Sequence, residues 1–187
     1  MKRLIIILKT HELLENLLTW AITQNKTVVC NPLMLKVNDI VEKELKVLSQ
    51  VAIKKLINIE NNIPVNLEIY ADLMMFETII RNLVSNAIKY TFPNGNIKIN
   101  AQMTNKEGKT FTEIKIIDNG VGLKEDQLST LFSLSNNSST KGTENEAGTG
   151  LGLVLCKEFI DLHGGAINAE SKFNEGSTFI CVFPMPD

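Results

Sequence analysis

The chain reads as an α+β domain, an antiparallel or mixed sheet with helices packed on one face, and three observations predict it. Ile97 to Ala101 with Phe111 to Ile117, and Ala166 to Ser171 with Ser177 to Phe183, alternate apolar and polar residues as strand pairs do. About Asp72 to Tyr90 repeats apolar residues every three to four positions, the period of an amphipathic helix. Polar, glycine-bearing turns punctuate these runs at Pro93-Asn94-Gly95, Asn105-Lys106-Glu107-Gly108 and Asn174-Glu175-Gly176.

Taken in order, Leu13, Leu14, Leu17, Leu18, Ala21 and Ile22 form an apolar stripe on an early helix. No second long helix precedes that stripe to cover it, so self-association or a partner helix is expected there. Asn25 to Pro32 has strand-like or loop character. Asp39-Ile40-Val41-Glu42 resembles a capping box, and Val41, Leu45 and Leu48 continue one face, which predicts a helix over about Asn38 to Gln50. Lys55 to Ile59 and Asn66 to Tyr70 read as short strands around an Asn61-Asn62-Ile63-Pro64 turn. Phe76, Ile79, Ile80, Leu83, Val84, Ala87 and Ile88 define the buried face of the next helix. Ser133 to Glu146 is polar and nearly free of apolar residues; a loop of that length inside a compact domain is mobile or functional. Leu151 to Leu162 is helical and stops at Gly164-Gly165.

Composition narrows the function. The 187 residues suffice for one domain with an appendage, divided here as a helical segment over 1–25 and a main domain over 26–187. A net charge of −2 argues against a nucleic-acid or anionic-membrane surface. Cys30, Cys156 and Cys181 show neither paired nor metal-ligand spacing, so reduced cytoplasmic thiols are expected. The apolar run Leu4 to Leu8 is too short to span a bilayer.

Three motifs carry chemistry. Asn82, Asn86 and Lys89 are four and three residues apart and share one helix stripe. Carboxamide oxygens there suit a hard cation such as magnesium, and Lys89 adds charge for phosphate; an exposed polar helix edge explains the stripe as well. Asp118 ends a strand before Asn119-Gly120, which reads either as a hairpin turn or as an acceptor for an exocyclic amine such as that of adenine. Gly120 and Gly122 would admit close approach of a ligand to the backbone. Gly148-Thr149-Gly150-Leu151-Gly152-Leu153 opens a helix whose N-terminus attracts phosphate. Neither a P-loop lysine nor a directly preceding strand accompanies it, so a lid hinged on glycines fits better. Lys141, in the polar loop, either reaches the phosphates or is simply solvated.

In this order the motifs resemble the ATP-binding catalytic domain of sensor histidine kinases, within the group that includes gyrase, Hsp90 and MutL ATPases. Asn82 to Tyr90 is similar to that family's N box, Asp118 to Gly122 to its G1 box, Leu131-Phe132 to a short F box, Gly148 to Leu153 to G2, and Glu175 to Phe179 to its last strand motif. The resemblance covers roughly Pro32 onward. It implies a two-layer α/β sandwich (the Bergerat fold) of a mixed sheet and three main helices. It further implies ATP and Mg2+ as cofactors, Asn86 as the magnesium ligand with Asn82 nearby, and Lys89 and Tyr90 at the phosphates. Asp118 would recognise adenine, Leu123 to Ala147 would form the lid, and Thr178 would line the nucleotide site. Implied partners are dimerisation and phosphoacceptor helices, of which Leu13 to Gln24 resemble an end, and a response regulator receiver domain. The parent protein would be a homodimer with its kinase part in the cytoplasm.

Two departures matter. Where hydrolytic members of the group carry a glutamate base, this chain has Asn82, and an amide cannot take a proton from water at neutral pH. Phosphoryl transfer to a nucleophile supplied elsewhere is therefore favoured over water activation. His11-Glu12 begins like a phosphoacceptor motif, but Leu14 and Asn16 replace its later basic and proline positions. No residue of the chain is assigned as the acceptor, and the chain is expected to be a catalytic fragment or a truncated product. His163 reads as structural. The lid lacks a second Phe (Leu134 stands there) and a following arginine. The alternatives are a serine kinase of the anti-sigma type and a degenerate nucleotide-binding interaction module.

Overall fold

Alternation along the expected strands builds a five-stranded sheet. The computed structural model describes residues 29–133, 141–146 and 150–186. Among them the elements run β1 (Leu33–Lys36), α1 (Val37–Lys54), β2 (Asn58–Asn61), β3 (Glu68–Ala71), α2 (Leu73–Tyr90), β4 (Asn96–Lys106), β5 (Lys109–Asp118), α3 (Glu125–Thr130), α4 (Gly152–Leu162), β6 (Ala166–Lys172) and β7 (Gly176–Pro184). The main sheet has the order β2-β4-β5-β7-β6, and β1 pairs with β3 as a separate ladder. Strand β2 runs parallel to β4, and the remaining main-sheet neighbours are antiparallel, so the sheet is mixed as expected.

One face of that sheet is fully buried and the other half-exposed, the signature of helices on a single side. Ile97, Ile99 and Ala101 of β4, Ile114 and Ile116 of β5, and Phe179, Cys181 and Phe183 of β7 make the buried face. Helix α2 covers it with the apolar stripe read from the sequence, Phe76 through Ile88, joined by Met75. Helices α1 and α4 flank α2. Asp72 caps α2 through Oδ1, which accepts from the Met75 amide at 3.1 Å. The Asp72 amide donates to His163 Nε2 at 2.8 Å, and His163 Nδ1 lies 2.6 Å from the Phe159 carbonyl oxygen. That pattern needs the neutral ring with its proton on Nδ1, and His163 is structural as expected. Cys156 and Cys181 are buried free thiols; burial pushes the Cys181 thiol up to about 12, out of reach of thiolate chemistry.

Several boundaries differ from the sequence reading. The first described strand is Leu33–Lys36, and residues 29–32, the described part of the stretch read as strand-like or loop, carry no regular structure. Helix α1 starts at Val37 with no side-chain cap, and Asp39 lies inside its first turn, so the capping box does not form. Strand β2 starts at Asn58 rather than Lys55, because α1 runs on to Lys54 and closes in a two-bond turn: Leu56 N–H to Ile53 O at 2.9 Å and Ile57 N–H to Ala52 O at 3.0 Å. Leu56 holds φ +54°, a conformation that costs a side-chain-bearing residue about 1–2 kcal/mol, while 67% of it is exposed. Leu56→Gly should therefore stabilise the fold by about 0.5–1 kcal/mol after the extra chain entropy of glycine is subtracted. Urea unfolding checks this, and a loss of stability would mean that Leu56 contributes packing. Helix α3 was not expected at all. The predicted helix over residues 1–25, with its leucine stripe and His11, lies outside the described residues, as does Leu134. Among the described residues no helix is long and apolar enough to cross a membrane.

Candidate nucleotide site

The two principal motifs meet where β5 and α2 end. Asp118 closes β5 between Ile97 of β4 and Ser177 of β7, and only 7% of it is exposed. Because β5 is paired on both sides and the chain then leaves toward α3, Asn119-Gly120 is not a hairpin turn. Asp118 Oδ1 accepts from the Gly120 amide at 2.9 Å. Burial pushes the carboxyl above its ordinary value, and the amides of Gly120 and Ser177 pull it partly back.

Glycines let these elements touch. A Cβ on Gly120 would lie 2.2 Å from the Tyr90 carbonyl oxygen, the same atom that accepts from the Val121 amide at 3.0 Å. Gly122 has φ +63°, and a Cβ there would lie 2.1 Å from Lys172 O. Two contributors lie in the Glu175 to Phe179 motif but are not among the residues the sequence assigned to the site. Gly176, at φ +111°, passes so close that a Cβ would lie 2.0 Å from Asp118 O. Ser177 shares the face of Asp118, and its hydroxyl lies 2.9 Å from that of Ser171, which also accepts from the Leu123 amide at 2.8 Å. Thr178 pairs with Ile117 and alternates with buried Ser177 and Phe179, so it belongs to the opposite face and is not brought to Asp118.

Helix α2 places Asn82, Asn86, Lys89 and Tyr90 half-exposed along one edge. Asn82 Nδ2 donates to Thr78 O at 3.0 Å. Its Oδ1 looks at the start of α4, where a Cβ on Gly152 would lie 2.7 Å from it. Asn86 makes no side-chain hydrogen bond among the described residues, and its hard amide oxygen fits a magnesium ion that takes its other ligands from phosphate and water. Lys89 Nζ donates to the Tyr90 hydroxyl at 2.8 Å and lies 4.5 Å from the centre of that ring.

The stretch expected to form a lid is partly described. Leu131 and Phe132 pack against the core after α3. That helix, six residues with Glu125 and Asp126 in its first turn and Gln127 capping the Lys124 amide, offers less than two turns of pattern. Lys141 is exposed. Gly148 and Thr149 lie outside the described residues. Gly150 is exposed with φ +73°, and Leu151 stands as the N-cap of α4 with no side-chain cap, just before Gly152. Lys55, read as the start of a strand, is instead buried beneath this region, its ammonium 2.8 Å from Ile88 O and 2.6 Å from Thr143 Oγ1.

Comparison with known proteins agrees with this architecture. Residues 71–187 match the family model described as histidine kinase-, DNA gyrase B-, and HSP90-like ATPase. Sensor protein RprX of Bacteroides fragilis is 38% identical over 128 residues, 68% of this chain and 24% of that protein. The autoinducer 2 sensor kinase/phosphatase LuxQ of Vibrio parahaemolyticus is 32% identical over 131 residues, 69% of this chain but 15% of LuxQ. The chain thus matches less than a quarter of the length of these relatives. Among solved structures, the nucleotide-free catalytic domain of histidine kinase ThkA superposes with a TM-score of 0.68 at 28% identity, covering 82% of this chain and 95% of that one. With fold, motif order and sequence in agreement, the chain belongs to the histidine kinase-, DNA gyrase B- and HSP90-like ATPases and carries the ATPase domain that serves sensor histidine kinases as their catalytic domain.

Proposed function

We propose that the chain binds Mg-ATP between α2, the end of β5 and the start of α4, and serves a sensor histidine kinase as the part that delivers the γ-phosphoryl group. The observation that carries the reading is the buried Asp118 carboxylate at the end of β5, where glycines at 120 and 176 let the backbone pass close to it. An ionised carboxylate accepts hydrogen bonds and donates none, which suits the amine of adenine. Asn86, with Asn82 one turn away, would hold a magnesium ion, and that ion when bound supplies neutralising charge for the polyphosphate. Lys89 adds a point charge on the same edge, and the N-terminus of α4 adds oriented amides. Asn82 cannot accept a proton from water, so the site positions and screens charge while a histidine outside this chain provides the nucleophile.

The sensor-kinase relatives favour this reading over a serine kinase or a degenerate module. By the same reasoning the partners are dimerisation and phosphoacceptor helices, in a homodimeric parent whose kinase part faces the cytoplasm, and a response regulator that receives the phosphoryl group. Calorimetric titration of ATP tests the core of it, and absence of heat from a folded sample would sink it. Asn86→Ala should weaken ATP binding in magnesium roughly tenfold, about 1.4 kcal/mol, and leave binding in chelator unchanged. Equal losses in both conditions would remove Asn86 from the cation site.

A further inference from the structure

Lys55 has 1% of its side chain exposed and stands outside the residues assigned to nucleotide. It caps α1, and the left-handed Leu56 beside it fixes where the chain turns. Its ammonium faces four acceptors: Ile88 O at 2.8 Å, Lys89 O at 3.1 Å, Thr143 Oγ1 at 2.6 Å and Glu146 Oε1 at 3.1 Å. The first two are carbonyls in the last turn of α2, where orphan acceptors and the helix dipole favour a cation. The other two belong to the segment 141–146. One buried charge therefore joins the helix that carries the cation and phosphate candidates to a stretch of the lid.

The segment is built around that contact. The Thr143 amide donates to Lys89 O at 3.1 Å and its hydroxyl to Thr91 O at 2.9 Å. The Gly142 amide donates to Glu146 O at 2.9 Å, and the Glu144 amide to Glu146 Oε2 at 2.7 Å. Burial pushes the Glu146 carboxyl up, but the amides of Glu146 and Glu144 and the Lys55 ammonium outweigh it and hold it below its ordinary value. Gly142 lies so near Lys89 that a Cβ would stand 2.6 Å from Lys89 Cγ. Only a glycine lets the segment press on that stem.

We propose that Lys55 is a positioning residue that latches segment 141–146 onto the last turn of α2 and so holds the Lys89 stem in place for the polyphosphate of a nucleoside triphosphate. The nucleotide half of this rests on the reading given under Proposed function. A segment ordered before binding loses less freedom when the ligand arrives, so the latch contributes to triphosphate affinity and not to adenine recognition.

Glu146→Ala and Thr143→Val release the latch from the lid side and leave Lys55 and the core in place; Lys55→Met releases it from below. Amide exchange of residues 142–146, the unfolding midpoint, and calorimetric affinities for Mg-ATP and for AMP should be measured in the full chain. The expected result for Glu146→Ala is exchange at least about tenfold faster in 142–146 with only a small drop in the unfolding midpoint, since Glu146 is a partly exposed partner of Lys55. Mg-ATP should bind roughly three- to tenfold more weakly and AMP as in wild type. Unchanged exchange, or equal losses for ATP and AMP, would overturn the proposal even if Lys55→Met fails to fold. Failure of wild type to bind either nucleotide would sink the reading of the site itself, and the exchange rates would then decide the latch alone.

Discussion

Asp118→Asn is expected to lower ATP affinity roughly 10- to 100-fold, since a hydrogen bond to a charged group is worth about 1.5–3 kcal/mol. The same change should leave the free protein as stable as wild type, or more so. The two halves have one cause. The carboxylate is buried at the end of β5, and burial raises its pKa in the fold against the pull of the Gly120 and Ser177 amides. A carboxyl whose folded pKa is raised contributes stability that is fully present below the unfolded value, near 3.8, and is lost as pH rises through the folded one. At pH 7 the wild type has lost that contribution, and an amide that does not ionise has not. Melting curves should therefore place the variant level with or above wild type at pH 7, and the gap should close toward pH 3.5. A variant clearly less stable at pH 7 would mean that the ionised carboxylate holds the fold together, and its loss of affinity would say nothing about adenine.

Gly120→Ala should destabilise the domain by about 2–4 kcal/mol and abolish measurable ATP binding. The added methyl would meet Tyr90 O at 2.2 Å, Tyr90 C at 2.7 Å and Asp118 Oδ1 at 2.9 Å, and two of these atoms are backbone that cannot swing aside. Overpacking of this kind costs about 1–3 kcal/mol. The end of β5 must then retreat from α2, which breaks the Val121 to Tyr90 hydrogen bond of 3.0 Å at a further cost of about 1 kcal/mol. Gly108→Ala is the control. Its φ of +78° imposes strain, but nothing lies within 4 Å of the new Cβ. It should cost about 1 kcal/mol and leave ATP affinity intact, as read by urea unfolding and calorimetry. Similar behaviour of the two variants would show that the crowding at Gly120 is not what shapes the site.

The parts of the fold that were legible are those whose signal repeats. Helix α2 announces itself because eight apolar residues recur on one face, and β4, β5, β6 and β7 because burial alternates along them. Helix α3 could not be seen, since six residues carry too little periodicity. The capping-box pattern at Asp39 misled, because packing of Val37, Ile40 and Val41 draws the helix start back to Val37. Within the site, Asp118 and Gly120 stood out through the motif order that resembles sensor histidine kinases. Lys55 and Ser177 did not, because their importance lies in what tertiary pairing sets beside them: two helix carbonyls in one case, the carboxylate in the other. A lysine after a helix looks like any solvated lysine until the partner carbonyls are known.

The glycines beside Asp118 meet main chain. Gly120 faces Tyr90 O, Gly122 faces Lys172 O and Gly176 faces Asp118 O, while Asn174 donates through its amide to Val121 O at 2.8 Å. The side chains of Lys172, Val121 and Asn174 take no part in those main-chain contacts and can change, whereas the bare positions at 120, 122 and 176 cannot. Divergence can therefore rewrite most of the letters bordering this pocket while its outline persists, and a search keyed to missing side chains would follow such a site further back in descent than one keyed to the side chains present.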